Sequence, residues 1–399
     1  MQGGRRAARD AVVIIAITFL LAEIAARLLT GPAGNGVLTI LHQPLLPFRP
    51  DADVVKAWVA KTKDASYLVG DEALGWVVKK GGKGEGYEAN AQGVRTADPT
   101  RVFDPTPPAG KIRIVAVGDS FTHGDDVKND ETWEVALEKL RADLEVLNLG
   151  VPAFGTDQAL LRWRREVDNF SPQISILGIW PENICRNLNI ARYYLNPASG
   201  FMTKPRFLVE NGALKLINSP VVGPEDLPKV LSEPESASIL KDDYWYDPRE
   251  TTRKAYQHVR VLQALGSIVD LMRRKSMRDR LYSGEDPAGD AITVRIAEAF
   301  AAEAKAKNTL PLVLLIPMRD HLEGKKLYVA ENSLPLVRDL RKAGLDVLDM
   351  GPPIAKASEV HGMSALYLPS GHLTPLGNRV LAEQIEKALR RYLDRFKEK

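Results

Sequence analysis

From residue 112 onward, short apolar runs alternate with segments of helical period. The runs at 112–117, 145–149, 174–180, 311–316 and 345–349 are dominated by apolar residues, as strands buried on both faces are. Segments at 131–143, 156–168, 332–343 and 375–395 repeat their apolar positions at helical spacing and follow those runs. Such βα alternation predicts a parallel sheet covered by helices on both faces, with ligands bound beyond the C-terminal strand ends. Ser120, Gly150 and Asn183 fall just past three of those ends. The alternation stops at about 186–308. Within that stretch Asn211-Gly212 predicts the turn of a hairpin over 206–216. A helix near 253–282 carries Val259, Leu262, Leu265, Val269 and Met272 on one stripe, and a second helix covers 289–307. The stretch is expected to be an inserted helical and hairpin cap over the site.

A different pattern opens the chain. Arg5, Arg6 and Arg9 precede an apolar run from Ala11 to Ala22 that continues, past Glu23 and Arg27, through Leu28 and Leu29. About 20 apolar residues cross a bilayer, so this run suffices if Glu23 and Arg27, four apart and able to pair, lie at the far interface. The basic start predicts a cytoplasmic N-terminus and an exported globular part, periplasmic or extracellular. Gly31-Pro32-Ala33 is a poor cleavage site, so residues 1–30 are expected to remain as a single-pass anchor. Residues 31–110 are rich in proline, glycine and polar residues and read as a juxtamembrane linker with short strands such as Trp76-Val77-Val78. The glycines of 81–86 lack the flanking strand and helix of a phosphate cradle. The α/β domain is then 111–399, with the insertion inside it.

Composition narrows the chemistry. The 399 residues are 45% hydrophobic and 26% charged, as suits a globular chain, and a formal net charge of +3 gives no ground for nucleic-acid binding. A single cysteine, Cys185, excludes an intrachain disulfide. No histidine or cysteine cluster has ligand spacing, so no metal or cofactor is expected.

Between the first strand and the first helix stands Gly118-Asp119-Ser120-Phe121-Thr122-His123-Gly124. A serine at a tight strand-to-helix turn stands clear of the sheet, near helix-start amides that hold an anion. Serine needs a base, and His372 is the best of six histidines. It precedes a helix with Thr374 as N-cap and Pro375 in its first position, which sets it on a loop at one end of the sheet. His321 is a second choice. His123, close in sequence, is expected to point along its own turn. The tetrahedral oxyanion requires N–H donors, for which the Ser120 amide, the Gly150 amide and the Asn183 side chain are the candidates.

These four blocks, in this order, resemble the SGNH/GDSL hydrolases. The resemblance covers roughly 70–180 and 310–395. Asn90-Ala91-Gln92-Gly93-Val94-Arg95 and Glu131-Thr132-Trp133 look like the membrane-anchored bacterial branch of that family. It implies a flavodoxin-like three-layer α/β/α fold, a Ser120–His372 mechanism on ester bonds, and O-acyl groups, often acetyl, on extracytoplasmic carbohydrate as substrate. The activity implied is that of an esterase or an acyltransferase. Two positions depart from the family pattern. The acid that usually precedes the histidine is replaced by Ser370 and Pro369, and no carboxylate lies between Glu359 and Glu383. In the third block Glu182 and Asn183 offer two registers, of which only Asn183 brings a donor. The competing expectation is a non-catalytic member of the fold, acting as a membrane-anchored binding or complex subunit.

Overall fold

The computed structural model describes residues 2–323 and 334–393. They divide into two compact units, residues 1–62, 190–203 and 222–278 in one and 63–189, 204–221 and 279–399 in the other. The division does not follow the expected boundaries. The segment 31–110, read as a linker, is shared: 31–62 goes with the first unit and 63–110 with the second. The insertion 186–308 is shared likewise.

The second unit holds the sheet. Its strands are β1 (Ile112–Gly118), β2 (Leu144–Gly150), β3 (Ile174–Ile179), β4 (Leu310–Leu315) and β5 (Val347–Asp349). All pair in parallel, in the order β5-β4-β3-β1-β2. This is the flavodoxin-like order, and its topological switch lies at β1 and β3, where a doubly wound sheet opens a crevice. Alternate residues face opposite layers. Ile114 and Ala116 of β1 join Trp133, Leu137, Leu381, Ile385 and Leu389 in one core, formed with the helices Trp133–Leu140 and Pro375–Leu393. Opposite them pack the helices Thr156–Glu166 and Ala288–Ala306, where Trp163 meets Phe300 edge-on at 5.2 Å. The predicted hairpin is present as Arg206–Glu210 and Ala213–Ile217, and both turn residues, Asn211 and Gly212, have positive φ. Of the predicted helix 332–343, residues 332 and 333 lie outside the described residues, and Pro335–Lys342 is helical. The end of the helix 375–395 beyond residue 393 lies outside them too.

Residues 63–110 lack a helical period, which is why they read as a linker. They carry two antiparallel strands, Leu68–Asp71 and Gly75–Val78, the second at the expected Trp76-Val77-Val78, and a bridge to the edge strand β2 through Arg95 N–H and Asn148 O at 3.1 Å.

In the first unit the N-terminal helix Gln2–Leu28 includes a 24-residue stretch, Arg5–Leu28, long and apolar enough to cross a membrane. Glu23 and Arg27 pair at 2.7 Å, as their spacing predicts. The helix Arg260–Ser283 departs from expectation. Up to Arg278, its buried positions are polar: Gln263, Ser267, Asp270 and Arg274; Leu281, nearer its end, is buried as well. Ser267 Oγ accepts from Leu46 N–H at 2.9 Å, the Gln263 amide donates to Leu46 O, and Arg274 pairs with Asp270 at 2.9 Å and with Glu250. The stripe of Leu262, Leu265, Val269 and Met272 is exposed. Periodicity fixes that such a helix has two faces; hydrogen bonds to the main chain of Leu46 and to Glu250 decide which one turns inward. Leaving a leucine, valine or methionine in water forgoes about 1.5–3 kcal/mol each.

Glu134, in the second unit, is a fully buried carboxyl. Burial raises its pKa well above 4.5, against the opposing pull of Arg95. A carboxyl that ionises more readily in the unfolded chain loses the native state stability as pH rises from the unfolded value towards the folded one. Glu134→Gln is therefore expected to unfold near the wild-type temperature at pH 4 and above it at pH 8, the gap growing by about 1.4 kcal/mol per pH unit at most. Thermal denaturation across that range measures it.

Candidate active site

Three glycines at the strand ends decide where the serine sits. A Cβ on Gly118 would lie 2.1 Å from Thr122 Oγ1, and one on Gly178 2.2 Å from the same atom. A Cβ on Gly150 would lie 2.2 Å from the main-chain nitrogen of His123. The one-turn helix Ser120–His123 is thus pressed onto the ends of β1, β2 and β3, and only glycine permits that approach. Gly150 was expected to bring its amide to an oxyanion. Its amide donates instead to Asn148 Oδ1 at 2.9 Å, and the glycine serves the packing of the serine turn.

Asp119 caps this turn. Its Oδ1 accepts from Phe121 N–H at 2.9 Å, and its Oδ2 accepts from Asn183 Nδ2 at 3.0 Å and Arg186 Nη1 at 3.2 Å. Burial raises the Asp119 pKa, and Arg186 opposes the rise. Asn183 is the inward residue of the third block. Its Oδ1 accepts from Trp180 N–H at 2.9 Å, and its Nδ2 also donates to Phe154 O at 3.1 Å. Glu182 faces elsewhere and accepts from the Tyr282 hydroxyl.

His372 reaches the serine. Its Nε2 lies 3.0 Å from Ser120 Oγ although 252 residues separate them. The loop before it turns through Gly371 at φ 93, and Leu368 N–H closes on His372 O at 2.8 Å. Thr374 Oγ1 caps the following helix at Gly377 N–H, 3.0 Å, as its place before Pro375 predicts. The Phe121 ring packs on the imidazole at 5.2 Å and stacks with Trp180 at 4.8 Å. Ser120 keeps 4% of its surface, while the His372 and Asp126 side chains keep 23% and 45%.

The acid absent from the histidine loop comes from the serine side. Asp126 Oδ2 lies 2.7 Å from His372 Nδ1. The same oxygen accepts from Ser370 Oγ at 2.7 Å, so the serine that replaces the usual acid holds the acid that replaces it. Burial would raise the Asp126 carboxyl, but its hydrogen bonds with His372 and Ser370 outweigh burial and hold it below the usual carboxylate range. Asp126 sits at φ 66, a left-handed conformation that aspartate tolerates better than most residues. Sequence reasoning passed over it because it looked for an acid near the histidine. The sign that could have found it was the pair Asp125-Asp126 just after Gly124, a turn composition close behind the serine.

His123 is not part of this relay. It is buried, with Nε2 2.5 Å from the Tyr67 hydroxyl and Nδ1 2.5 Å from Asp125 Oδ1. Burial lowers its pKa, against Asp125. His321 lies in the helix Arg319–Glu323 against the Tyr282 ring at 5.0 Å, with its pKa lowered by burial. Ser120 N–H, the first of its one-turn helix, has no acceptor among the described residues. Ala153 follows β2 in a loop tied to β1 by Val151 N–H and Gly118 O at 3.0 Å, and it sits at φ 65.

No protein-family model matches the chain, and no curated protein matches it. Solved structures do match. A member of the lipolytic protein G-D-S-L family from Veillonella parvula is 10% identical, with 69% of this chain and 97% of that chain covered at a TM-score of 0.33. A lipase/acylhydrolase from Enterococcus faecalis is 13% identical, over 70% of this chain and 95% of that one, TM-score 0.34. The acetyl xylan esterase AlAXEase is 11% identical, over 70% and 100%, TM-score 0.37. The neighbours are lipolytic proteins and esterases. At identities and TM-scores this low the likeness adds no argument about chemistry, and the relay stands on this chain's own geometry.

That geometry makes Nδ1 the protonated nitrogen of neutral His372, since an ionised Asp126 can only accept. Nitrogen-15 NMR of the full chain is expected to show His372 as the Nδ1–H tautomer, and Asp126→Ala is expected to shift the population towards Nε2–H.

Proposed function

We propose that the chain is a membrane-tethered serine hydrolase acting on ester bonds, as an O-acyl esterase or an acyltransferase. The observation that carries the reading is the unbroken line of hydrogen bonds from Ser120 through His372 to Asp126. Asp126 fixes the imidazole so that Nε2 presents a lone pair to the serine hydroxyl. Ser120 Oγ attacks the ester carbonyl while Nε2 takes its proton, and the imidazolium formed faces the Asp126 carboxylate. Nε2 then protonates the leaving alkoxide, which departs as the alcohol. Water or a second alcohol resolves the acyl-enzyme by the same steps in reverse.

The oxyanion forms beside Ser120 N–H. Asn183 supplies a second donor. Phe154 O is served by both Asn183 Nδ2, at 3.1 Å, and Arg186 Nη1, at 3.0 Å. An incoming oxyanion can draw the Asn183 N–H while Arg186 keeps the carbonyl satisfied, so the donor is released without orphaning a buried group. Asp119 and Trp180 hold the amide in place through that exchange.

The apolar helix Arg5–Leu28 supports the tether, with Arg5, Arg6 and Arg9 on the cytoplasmic side and the globular part outside. An O-acylated extracytoplasmic carbohydrate is the substrate class implied by the resemblance of the four blocks.

A fluorophosphonate probe is expected to label the wild type and to fail with Ser120→Ala and His372→Ala. A folded wild type that resists the probe would mark the chain as a non-catalytic member of the fold. Asp126→Asn is expected to keep the fold and lower kcat on an aryl acetate by about 10²–10⁴-fold, with a smaller change in KM.

A further inference from the structure

The Arg260–Ser283 helix is inverted with respect to water. Its polar positions Gln263, Ser267, Asp270 and Arg274 are buried and bonded, while Leu265, Val269 and Met272 keep 54%, 68% and 67% of their surface and Ile268 is exposed beside them. A soluble unit gains nothing from this arrangement, because every one of these side chains would be better placed inside. The helix is also fixed to one end of the N-terminal helix. The Glu23 carboxylate accepts from the Arg260 and Val261 N–H groups at 3.0 and 2.9 Å, which caps the first turn, and Arg27 Nη2 donates to His258 O at 3.0 Å. Glu23 and Arg27 close the apolar run of that N-terminal helix. The exposed apolar face therefore begins at the point where the run leaves its apolar stretch. Exposed cations flank it: Lys254 and Arg253, the latter paired with Asp51 at 2.8 Å, precede the helix, and Lys275 follows the apolar turns within it.

We propose that this face lies in the headgroup–acyl boundary of the bilayer entered by the N-terminal helix, so that Leu265, Ile268, Val269 and Met272 are in lipid and the flanking cations meet phosphate headgroups. The inference rests on the reading of Arg5–Leu28 as a membrane span. The occupant follows from continuity: a helix capped by the last turns of a membrane span starts at the membrane surface. An in-plane amphipathic helix with basic flanks is the form such contacts take. The first unit is then held at two points, by a helix through the bilayer and by one along it.

The test uses the full chain with Cys185→Ala, reconstituted in phosphatidylcholine–phosphatidylglycerol vesicles containing a lipid with a doxyl quencher high on its acyl chain. A bimane label is placed in turn at Val269→Cys, Leu265→Cys, Ile17→Cys and Lys229→Cys. All four labelled positions are exposed, so the labels leave the core alone, and the buried Cys185→Ala background is common to every sample. Labels at Val269 and Leu265 are expected to lose about half of their emission or more to the quencher, as a depth of roughly 5–10 Å requires, while the label at Lys229 is unaffected. Quenching at Ile17 without quenching at Val269 and Leu265 overturns the proposal and leaves the span intact. No quenching at any of these positions overturns both. Protection of Val269 from aqueous iodide without lipid quenching overturns it too, and assigns the face to a protein partner.

Discussion

A buried guanidinium holds the segment that carries both ends of the relay. Arg95 donates to His123 O at 2.8 Å and to the carbonyls of Gly124 and Val127, with its plane over the Tyr87 ring at 4.6 Å. Burial of this cation is costly, and its pKa is lowered for that reason. The arrangement holds because the planar fork of donors fits three carbonyls of one turn, which a lysine could not do. Without it the Gly124 and Val127 carbonyls would lose this donor, His123 O keeping Asn148 Nδ2 at 3.2 Å, and the loop that swings Asp126 back towards Ser120 would have no fixed path. His123 braces the same loop from within, between Tyr67 and Asp125.

The relay consequently divides differently from one in which acid and base share a loop. Ser120 and Asp126 are six residues apart on one segment, whose Ser120–His123 turn is seated on the glycines of β1, β2 and β3. His372 alone arrives from a distance, on the loop before Pro375–Leu393. Any shift of that loop breaks both of its bonds together. Its seat is correspondingly specific: Phe121 packs on one side of the imidazole, and the helix behind it is anchored in the core through Leu381, Ile385 and Leu389.

Much of this was legible in the chain. The five strands, the Asn211-Gly212 hairpin and the loop positions of Ser120 and His372 follow from local period and turn chemistry, which survive in any context. Other features depended on what lies across space. Gly150 reads as a strand-end glycine from its neighbours, and only the His123 backbone above it reveals why no side chain fits. Asp126 reads as a turn aspartate until a loop nearly 250 residues away meets it. The leucine stripe of Arg260–Ser283 has the period of a core helix, and the polar partners that reverse it, Leu46 and Glu250, come from distant parts of the chain. Residues 63–110 lacked a period because their hydrogen bonds go to turns and to the edge of β2.

The place of Ser370 follows from the same division. An acid on a half-exposed turn is free to solvate away from the imidazole, which weakens its orienting effect. Ser370 counters this by donating to the oxygen that accepts from His372, so the carboxylate is held by two donors from a single loop. Both bonds strengthen with the negative charge they share, and both keep Asp126 ionised when the imidazole is neutral. An aspartate at 370 would instead set two carboxylates against one imidazole and repel the acid already there. The serine at that position is thus the complement that an acid on the far side of the histidine requires.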